Sequence, residues 1–478
     1  MSLGRRKTSC QPEFWIASSE VVQGPGHPFY SKLNEVLSKH GFDEFVEERC
    51  APFYHESRGR PSIPPGVYFR MLLIGYFEGI DSERGIAWRC ADSLGLRAFL
   101  GYALTERTPD HSSLSVIRRR IDLETHREVF VWVLKVLKQS GLLKGKTLGI
   151  DATTLEANAA MRSIVRRDTS DGYEDFLRKL AEESGVSSPT REELARLDKN
   201  RKKTTSNRDW KHPHDEDAKI TKMKDGRTHL GYKAEHAVDL ATGAVTAVTL
   251  QPGDRGDTAS VGETLTEAQE TLEEVAEPGS DAGQVREAVL DKGYHSNDVC
   301  RHLTDSNIRS YISEPDRGRR KWKGKRAEQR AVYGNRRRIR GDRGKRLLRK
   351  RAELVERSFA HCYDTGGMRR VHLRGRENVL KRLLIHVAGF NLGLAMRKMW
   401  GVGKPRSLQD GMRALLGFIF ALFRAVWSRI RPFAFDPAHS PFLPPADLSS
   451  PAPSRGVAIS FRLSKKCLFF NGLLRETL

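Results

Sequence analysis

Apolar residues recur every three to four positions along roughly the first 145 residues and alternate with polar ones afterwards, and this change of period divides the chain. "PPGVYFRMLLIGYFEGI" opens on Pro64 and Pro65 and puts Tyr68, Leu72, Gly75 and Tyr76 at helical spacing, which predicts a helix with proline in its first turn. "HREVFVWVLKVLKQSG" repeats the pattern with Val129, Val133, Val136 and Leu137 and should stop near Gly141. Between them, "RTPDHSSLSVIRRRI" sets a turn at Pro109 and Asp110 before Ser112 and Ser113, the candidate caps of a helix bearing Arg118, Arg119 and Arg120. The layout resembles a helix-turn-helix whose arginines reach phosphates. Its plain alternative is the charged outer face of a helical bundle.

From Lys146 the period is two. "KTLGIDAT" predicts a first strand ending on Asp151, and "HLGYKAEHAVDLATGAVTAVTLQPG" predicts a hairpin turning at Thr242 and Gly243. A helix, "DTASVGETLTEAQETLEEVA", and a short strand closing on Asp291 in "EAVLDKGYHSND" follow. The order implies a mixed α/β sheet preceded by an all-helical N-terminal domain. The expected boundaries are 1–145 for the helical, DNA-binding part, 146–404 for the sheet-bearing part and 405–478 for a C-terminal tail. A charged insertion spans 160–227. In it Thr190 and Glu193 form a capping-box pattern that predicts a short helix ahead of a mobile basic stretch.

The 478 residues hold 82 Lys and Arg against 60 acidic residues, a formal charge of +22, which points to a polyanionic partner, DNA or RNA first. Much of the excess sits in 317–351, with 18 Lys and Arg against two acids, interleaved with Trp322 and Tyr333. This stretch, which includes Arg336, Arg337 and Arg338, reads as an arm that contacts phosphates. The six cysteines are scattered without a paired spacing, which fits a reducing cytoplasm and suggests neither a disulfide framework nor a zinc ribbon. No signal peptide is expected from "MSLGRRKTSC", and "ALLGFIFALFRAV" at 414–426 is shorter than the ~20 apolar residues of a membrane span.

The chemistry lies in carboxylates. Asp151 and Asp291 each close a short apolar strand, the place where α/β sheets present ligand-binding groups. Two such acids repel each other unless a cation lies between them, and Mg2+ or Mn2+ with oxygen ligands serves that role in phosphoryl transfer. A third acid is offered by "AELVERSFAHCY": Glu353 has Arg357 four residues on as an ion-pair partner, which leaves Glu356 as the unpaired one. Singly each acid has an ordinary reading as turn, cap or solvated residue; in combination they suggest a site. Asp257 at a helix start and Asp239 near the hairpin turn have structural explanations. "GLLKGKT" at 141–147 lacks the spacing and the preceding strand of a phosphate-binding loop.

"GIDATTLEAN", "VLDKGYHSND" and "ELVERSFAHCYDTGGMRRVHLRGRENVLKRLLIHVAGFNLGLAMR" resemble the three acidic blocks of bacterial insertion-sequence transposases of the DDE class, in the groups around insertion sequences 5 and 1182. "SIPPGVYFRMLLIGYFEGIDSERGIAWRCADSLGLRAFLGY" resembles the helical domain that precedes the catalytic one in those proteins, and the likeness covers about 50–405. It implies a ribonuclease-H-like catalytic core in which Asp151, Asp291 and Glu356 are the catalytic and metal-binding triad, with Mg2+ (or Mn2+) as cofactor. It implies hydrolysis at the ends of a mobile element and attack of the freed 3′ hydroxyl on target DNA. The partners would be double-stranded DNA, as terminal inverted repeats and as target, and a second copy of the chain. A catalytically inactive DNA-binding protein and a plain nuclease of the same fold are the alternatives. The sequence departs from many relatives ahead of the Glu, where Arg349 and Ala352 replace Tyr and Arg; Arg351 and Arg357 are the nearby candidates for phosphate contact. Lys292 and His295 are further candidates, with an exposed turn as the alternative, and Thr153 and Thr154 are expected to leave room for a DNA backbone.

Overall fold

The computed structural model describes residues 26–406 and 408, except 187, 201–205, 224–225, 277–282, 317 and 319. The helical part comprises α1 (Pro28–Lys39), α2 (Phe42–Cys50), α3 (Pro65–Glu78), α4 (Glu83–Asp92), α5 (Leu94–Leu100), α6 (His111–Arg120) and α7 (Leu123–Gln139). β1 (Thr147–Glu156) starts the sheet. The insertion carries β2 (Val165–Arg166), α8 (Tyr173–Glu183), α9 (Arg191–Asn200) and β3 (Trp210–Lys211). β4 (Lys219–Lys222), β5 (Thr228–Asp239), β6 (Val245–Pro252), α10 (Asp257–Val275), β7 (Glu287–Leu290), α11 (Asn297–Asp305) and β8 (Arg309–Ile312) follow. The described chain ends with α12 (Arg326–Arg340), α13 (Asp342–Phe359) and α14 (Arg376–Trp400).

The main sheet is mixed. β1 pairs antiparallel with β5, β5 antiparallel with β6 and with β4, while β1 with β7 and β7 with β8 are parallel. Glu235 and His236 are neighbours on β5 and therefore point to opposite faces: Glu235 meets α10, and His236 meets α13 and the turn after it. The sheet thus carries α10 on one face and α13 on the other.

Local signals account for the helix ends. α3 starts at Pro65 and stops where Gly79 takes φ 70°, and nearly all of its side chains are buried. Asp122 caps α7 by accepting from Thr125 N at 2.8 Å. The cap of α6 is Asp110, which accepts from Ser112 N at 2.9 Å, so neither Ser112 nor Ser113 serves as the cap. Residues 101–110 separate α5 from α6, far more than the three- or four-residue turn of a helix-turn-helix, and that expectation is not met.

Two further differences from the sequence reading have physical causes. β1 does not end on Asp151 but runs on to Glu156, because β5 continues to supply backbone partners as far as Gly231. The basic stretch contains two packed helices, α12 and α13: Ala331, Val332 and Asn335 are buried on one, Leu354, Val355 and Phe359 on the other, and the arginines lie between these apolar positions. In the insertion, the Thr190–Glu193 capping box forms, with Thr190 N donating to Glu193 Oε2 at 2.8 Å and Glu193 N to Thr190 Oγ1 at 3.3 Å. The basic stretch expected after it falls partly outside the described residues, as does the apolar segment 414–426.

α14 ties the helical part to the sheet. It is long and apolar enough to cross a membrane, yet it is mostly buried among α3, α7 and β6. Asn391 both accepts from Val245 N at 3.0 Å and donates to Val245 O at 2.8 Å, fixing the start of β6, and the buried Arg382 donates to Ile80 O at 3.3 Å. One hydrophobic core runs from the N-terminal helices through α14 into the sheet.

Candidate active site

The β1–β7 register runs from Thr147 opposite Glu287 to Ile150 opposite Leu290. β7 ends there, so Asp151 and Asp291 are the next residue on each of two adjacent parallel strands. Both carboxylates meet Arg351 on α13. Its Nη1 donates to Asp151 Oδ2 at 2.5 Å and its Nη2 to Asp291 Oδ1 at 3.2 Å, so one guanidinium spans the pair.

Sequence places Arg351 there. On α13 it shares the sheet-facing stripe with Leu347, Leu354, Val355 and Ser358, so its stem is driven inward with the apolar side chains. Gly149, two residues before Asp151 and on the same face, leaves the necessary room: a Cβ there would lie 3.1 Å from Arg351 Cγ and 2.7 Å from Leu240 Cδ2. The Asp151 side chain is 20% exposed and that of Asp291 51% exposed, so the first is the more desolvated. Burial pushes the Asp151 carboxyl above its ordinary range, opposed by Arg351 and by the hydrogen bond from Ala152 N.

Glu356 does not join this pair. It is exposed on α13, and among the described residues no set of three or more acidic, His or Cys side chains is placed to hold a metal ion. The neighbouring Glu353 is engaged by Arg357, at 2.5 Å, as the helical spacing suggests. Two hard carboxylates sharing one cation suit a divalent ion in donor chemistry. The third carboxylate is not delivered in this arrangement.

The turn carrying Asp291 is fixed from the other face of the sheet. Tyr294 donates to Glu235 Oε1 at 3.1 Å, and Glu235, fully buried, also accepts from Ser260 and, at 2.6 Å, from Thr264. Lys233 lies 3.0 Å from Glu235 and 2.6 Å from Asp257. Asp257 is therefore an ion-pair partner on the first turn of α10, not its cap, which is Gly256. Asp239 is structural, as its position near the turn implied: it accepts from Lys144 N, Gly145 N and Ala241 N.

The other expected contacts divide by exposure. Lys292 and Arg119 are exposed, as is Arg337. Arg118 is buried against Glu83, with Asn378 beside it, and cannot reach a phosphate from there. Arg120 lies over the Tyr54 ring at 5.1 Å. Arg336 is paired with Glu314 at 2.5 Å, and Arg338 donates to Ser310 O and Oγ, each at 2.8 Å. His295 is buried, not an exposed turn residue. Thr153 is buried too and accepts from Arg369 Nη1 at 2.9 Å, so it offers no opening to DNA. Arg351, expected at a phosphate, is instead engaged by Asp151 and Asp291, and its phase with the apolar stripe of α13 is the signal in the sequence for its burial.

Residues 18–120 match the family model described as Transposase domain (DUF772), and residues 203–392 match the one described as Transposase DDE domain. Asp291, Arg351 and Glu356 fall within the second match, while Asp151 precedes it. No curated protein and no solved structure matches the chain. With both halves of a transposase matched in order, the chain belongs to the insertion-sequence transposases of the DDE class, enzymes that cut DNA and transfer the cut strand.

Proposed function

We propose that Asp151, Asp291 and Glu356 are the acidic triad of this transposase, and that the sheet is a ribonuclease-H-like core. The sheet order β6-β5-β1-β7-β8, antiparallel on one side of β1 and parallel on the other, supports that core. The observation that carries the site is the register that ends β7 at Leu290 and leaves Asp151 beside Asp291. Enzymes of this family use divalent metal ions, and in this reading the ion is Mg2+, with Mn2+ as substitute, held by the two aspartates with Glu356 as the further ligand. When bound, the metal supplies charge neutralisation at the phosphate under attack.

The chain's own residues do the positioning. Ile150 and Leu290 hold the aspartates in register, Tyr294 and Glu235 hold the Asp291 turn, and exposed Lys292, Arg119 and Arg337 face phosphates. Arg357 would reach a phosphate only after releasing Glu353. The partner is double-stranded DNA in the cytoplasm, at the nucleoid, and the active complex holds two copies of the chain. The test is a supercoiled plasmid carrying the inverted repeats that flank this gene, incubated with protein with and without Mg2+. Strand cleavage by the wild type, and its loss with retained DNA binding in Asp151→Asn, Asp291→Asn and Glu356→Gln, is expected. Cleavage at the wild-type rate by any of the three removes that residue from the site. Joined products distinguish a transposase of this mechanism from a nuclease.

A further inference from the structure

We infer that Arg351 is an internal counter-ion that competes with the divalent metal for Asp151 and Asp291, and that DNA relieves the competition by offering a phosphate to the same guanidinium. The inference rests on the acid-pair reading above.

Three observations carry it. The guanidinium bridges one oxygen of each aspartate, so it holds the position between the carboxylates from which a cation would bind both. Its seat is built: Gly149 clears the floor of the sheet for its stem, and the phase of α13 directs it inward. Its hydrogen bonding is nevertheless incomplete, because among the described residues the buried Arg351 Nε has no partner, which is unfavourable for a donor removed from water. A phosphate presents more acceptor oxygens in the geometry a guanidinium fork prefers.

The third acid is on the same helix. Glu356 follows Arg351 by five residues, which sets it about 140° further round α13 at 3.6 residues per turn. A displacement of α13 that withdraws Arg351 therefore also changes the place of Glu356. α13 runs directly into a π-helical turn, Ala360–Asp364, a form in which a helix stores a local change of register and which is common at functional sites. When the guanidinium leaves the carboxylates for a phosphate, the aspartates become available to the metal. By linkage, metal and DNA then strengthen each other's binding.

The experiment follows Mn2+ binding to the full-length protein by the paramagnetic resonance signal of the free ion, without DNA and with a duplex of arbitrary sequence. The expectation is that R351Q binds Mn2+ at least about tenfold more tightly than the wild type without DNA, within the usual range of coupling between sites, and that DNA raises the affinity of the wild type but not of R351Q. If R351Q binds Mn2+ no more tightly than the wild type in the absence of DNA, the inference is overturned. Should R351Q fail to fold by circular dichroism, R351K carries the same test, since a point-charge ammonium spans two carboxylates less well; it too must bind Mn2+ more tightly than the wild type. The double variant D151N/R351Q separates the two levels. Loss of the tight binding assigns it to the acid pair, whereas full retention places the ion elsewhere and defeats the acid-pair reading itself.

Discussion

Ile150 and Leu290 face each other as the last pair of the parallel β1–β7 ladder, and this single register contact decides where the two aspartates meet. A one-residue slip would send one carboxylate to the opposite face of the sheet, because side chains alternate along a strand. Deleting Ala288 from β7 is therefore expected to abolish cleavage as completely as is expected of Asp291→Asn. An active deletion variant in the plasmid assay would show that the register does not set the site.

Gly149 makes a related prediction. Its Cβ space is taken by Leu240 and by the stem of Arg351, so Gly149→Ala should cost about 1–3 kcal/mol through overpacking. The loss should shrink in an Arg351→Ala background, where one of the two obstacles is gone, and denaturant titrations of the four proteins measure that coupling. Strict additivity would mean that the guanidinium stem does not rest on Gly149.

The juxtaposition of the two aspartates could be anticipated from the sequence, whereas Glu356 does not join them, and the residues show where reading stops. Asp151 and Asp291 announce themselves by closing apolar runs, and the spacing of Glu353 to Arg357 correctly leaves Glu356 outside that ion pair. Period alone places the hairpin, α3 and α7. The end of β1 was not visible, because strand length depends on what the neighbouring strand offers and β5 is contributed from some eighty residues away. Neither was the burial of Arg118: its neighbours Arg119 and Arg120 look identical in sequence, and only the packing of Glu83 beside α6 selects one of the three. Lys233, Glu235 and Asp257 were missed as a group, since charged residues on an alternating strand look solvated until a helix covers them.

That buried group is expected to be costly to break from one side. Lys233→Met removes the cation between Glu235 and Asp257 and leaves a buried carboxylate with no countercharge, for which about 3–5 kcal/mol of destabilisation is the usual range. Combining it with Glu235→Gln should restore part of the loss. Tyr294→Phe, which deletes one hydrogen bond to the charged Glu235, should cost less, about 1.5–3 kcal/mol. Chemical denaturation orders the three, and a Lys233→Met protein as stable as the wild type would show that the cluster is hydrated.

DNA binding sorts the arginines in another way. Arg119→Ala and Arg337→Ala remove exposed charges and should each reduce the slope of log affinity against log salt by about 1, with little change in Tm. Arg118→Ala and Arg338→Ala remove side chains bonded within the protein and should lower Tm before they alter the salt slope. Affinity measured between low and physiological salt, alongside thermal melts, distinguishes the pairs. An unchanged salt slope for both exposed variants would move the DNA path to another face.

Acid sensitivity follows from two fully buried histidines. Burial pushes His126 down to about 4, against the opposing hydrogen bond to Asp122 O, and His236 down to about 3; His126 also meets Tyr68, and His236 meets Ser358 and Tyr363. Their folded values lie below that of the unfolded chain, roughly 6.5, so the unfolded chain takes up protons first as pH falls. The stability they contribute is complete above about 6.5 and is lost as pH drops from there toward 4 and 3, at up to about 1.4 kcal/mol per pH unit for each histidine. Melts across this window should show Tm falling with acid, and His236→Gln should be less stable at neutral pH yet show a shallower fall, because one titrating group has been removed. A variant whose Tm declines as steeply as the wild type would show that His236 does not stay neutral in the folded protein.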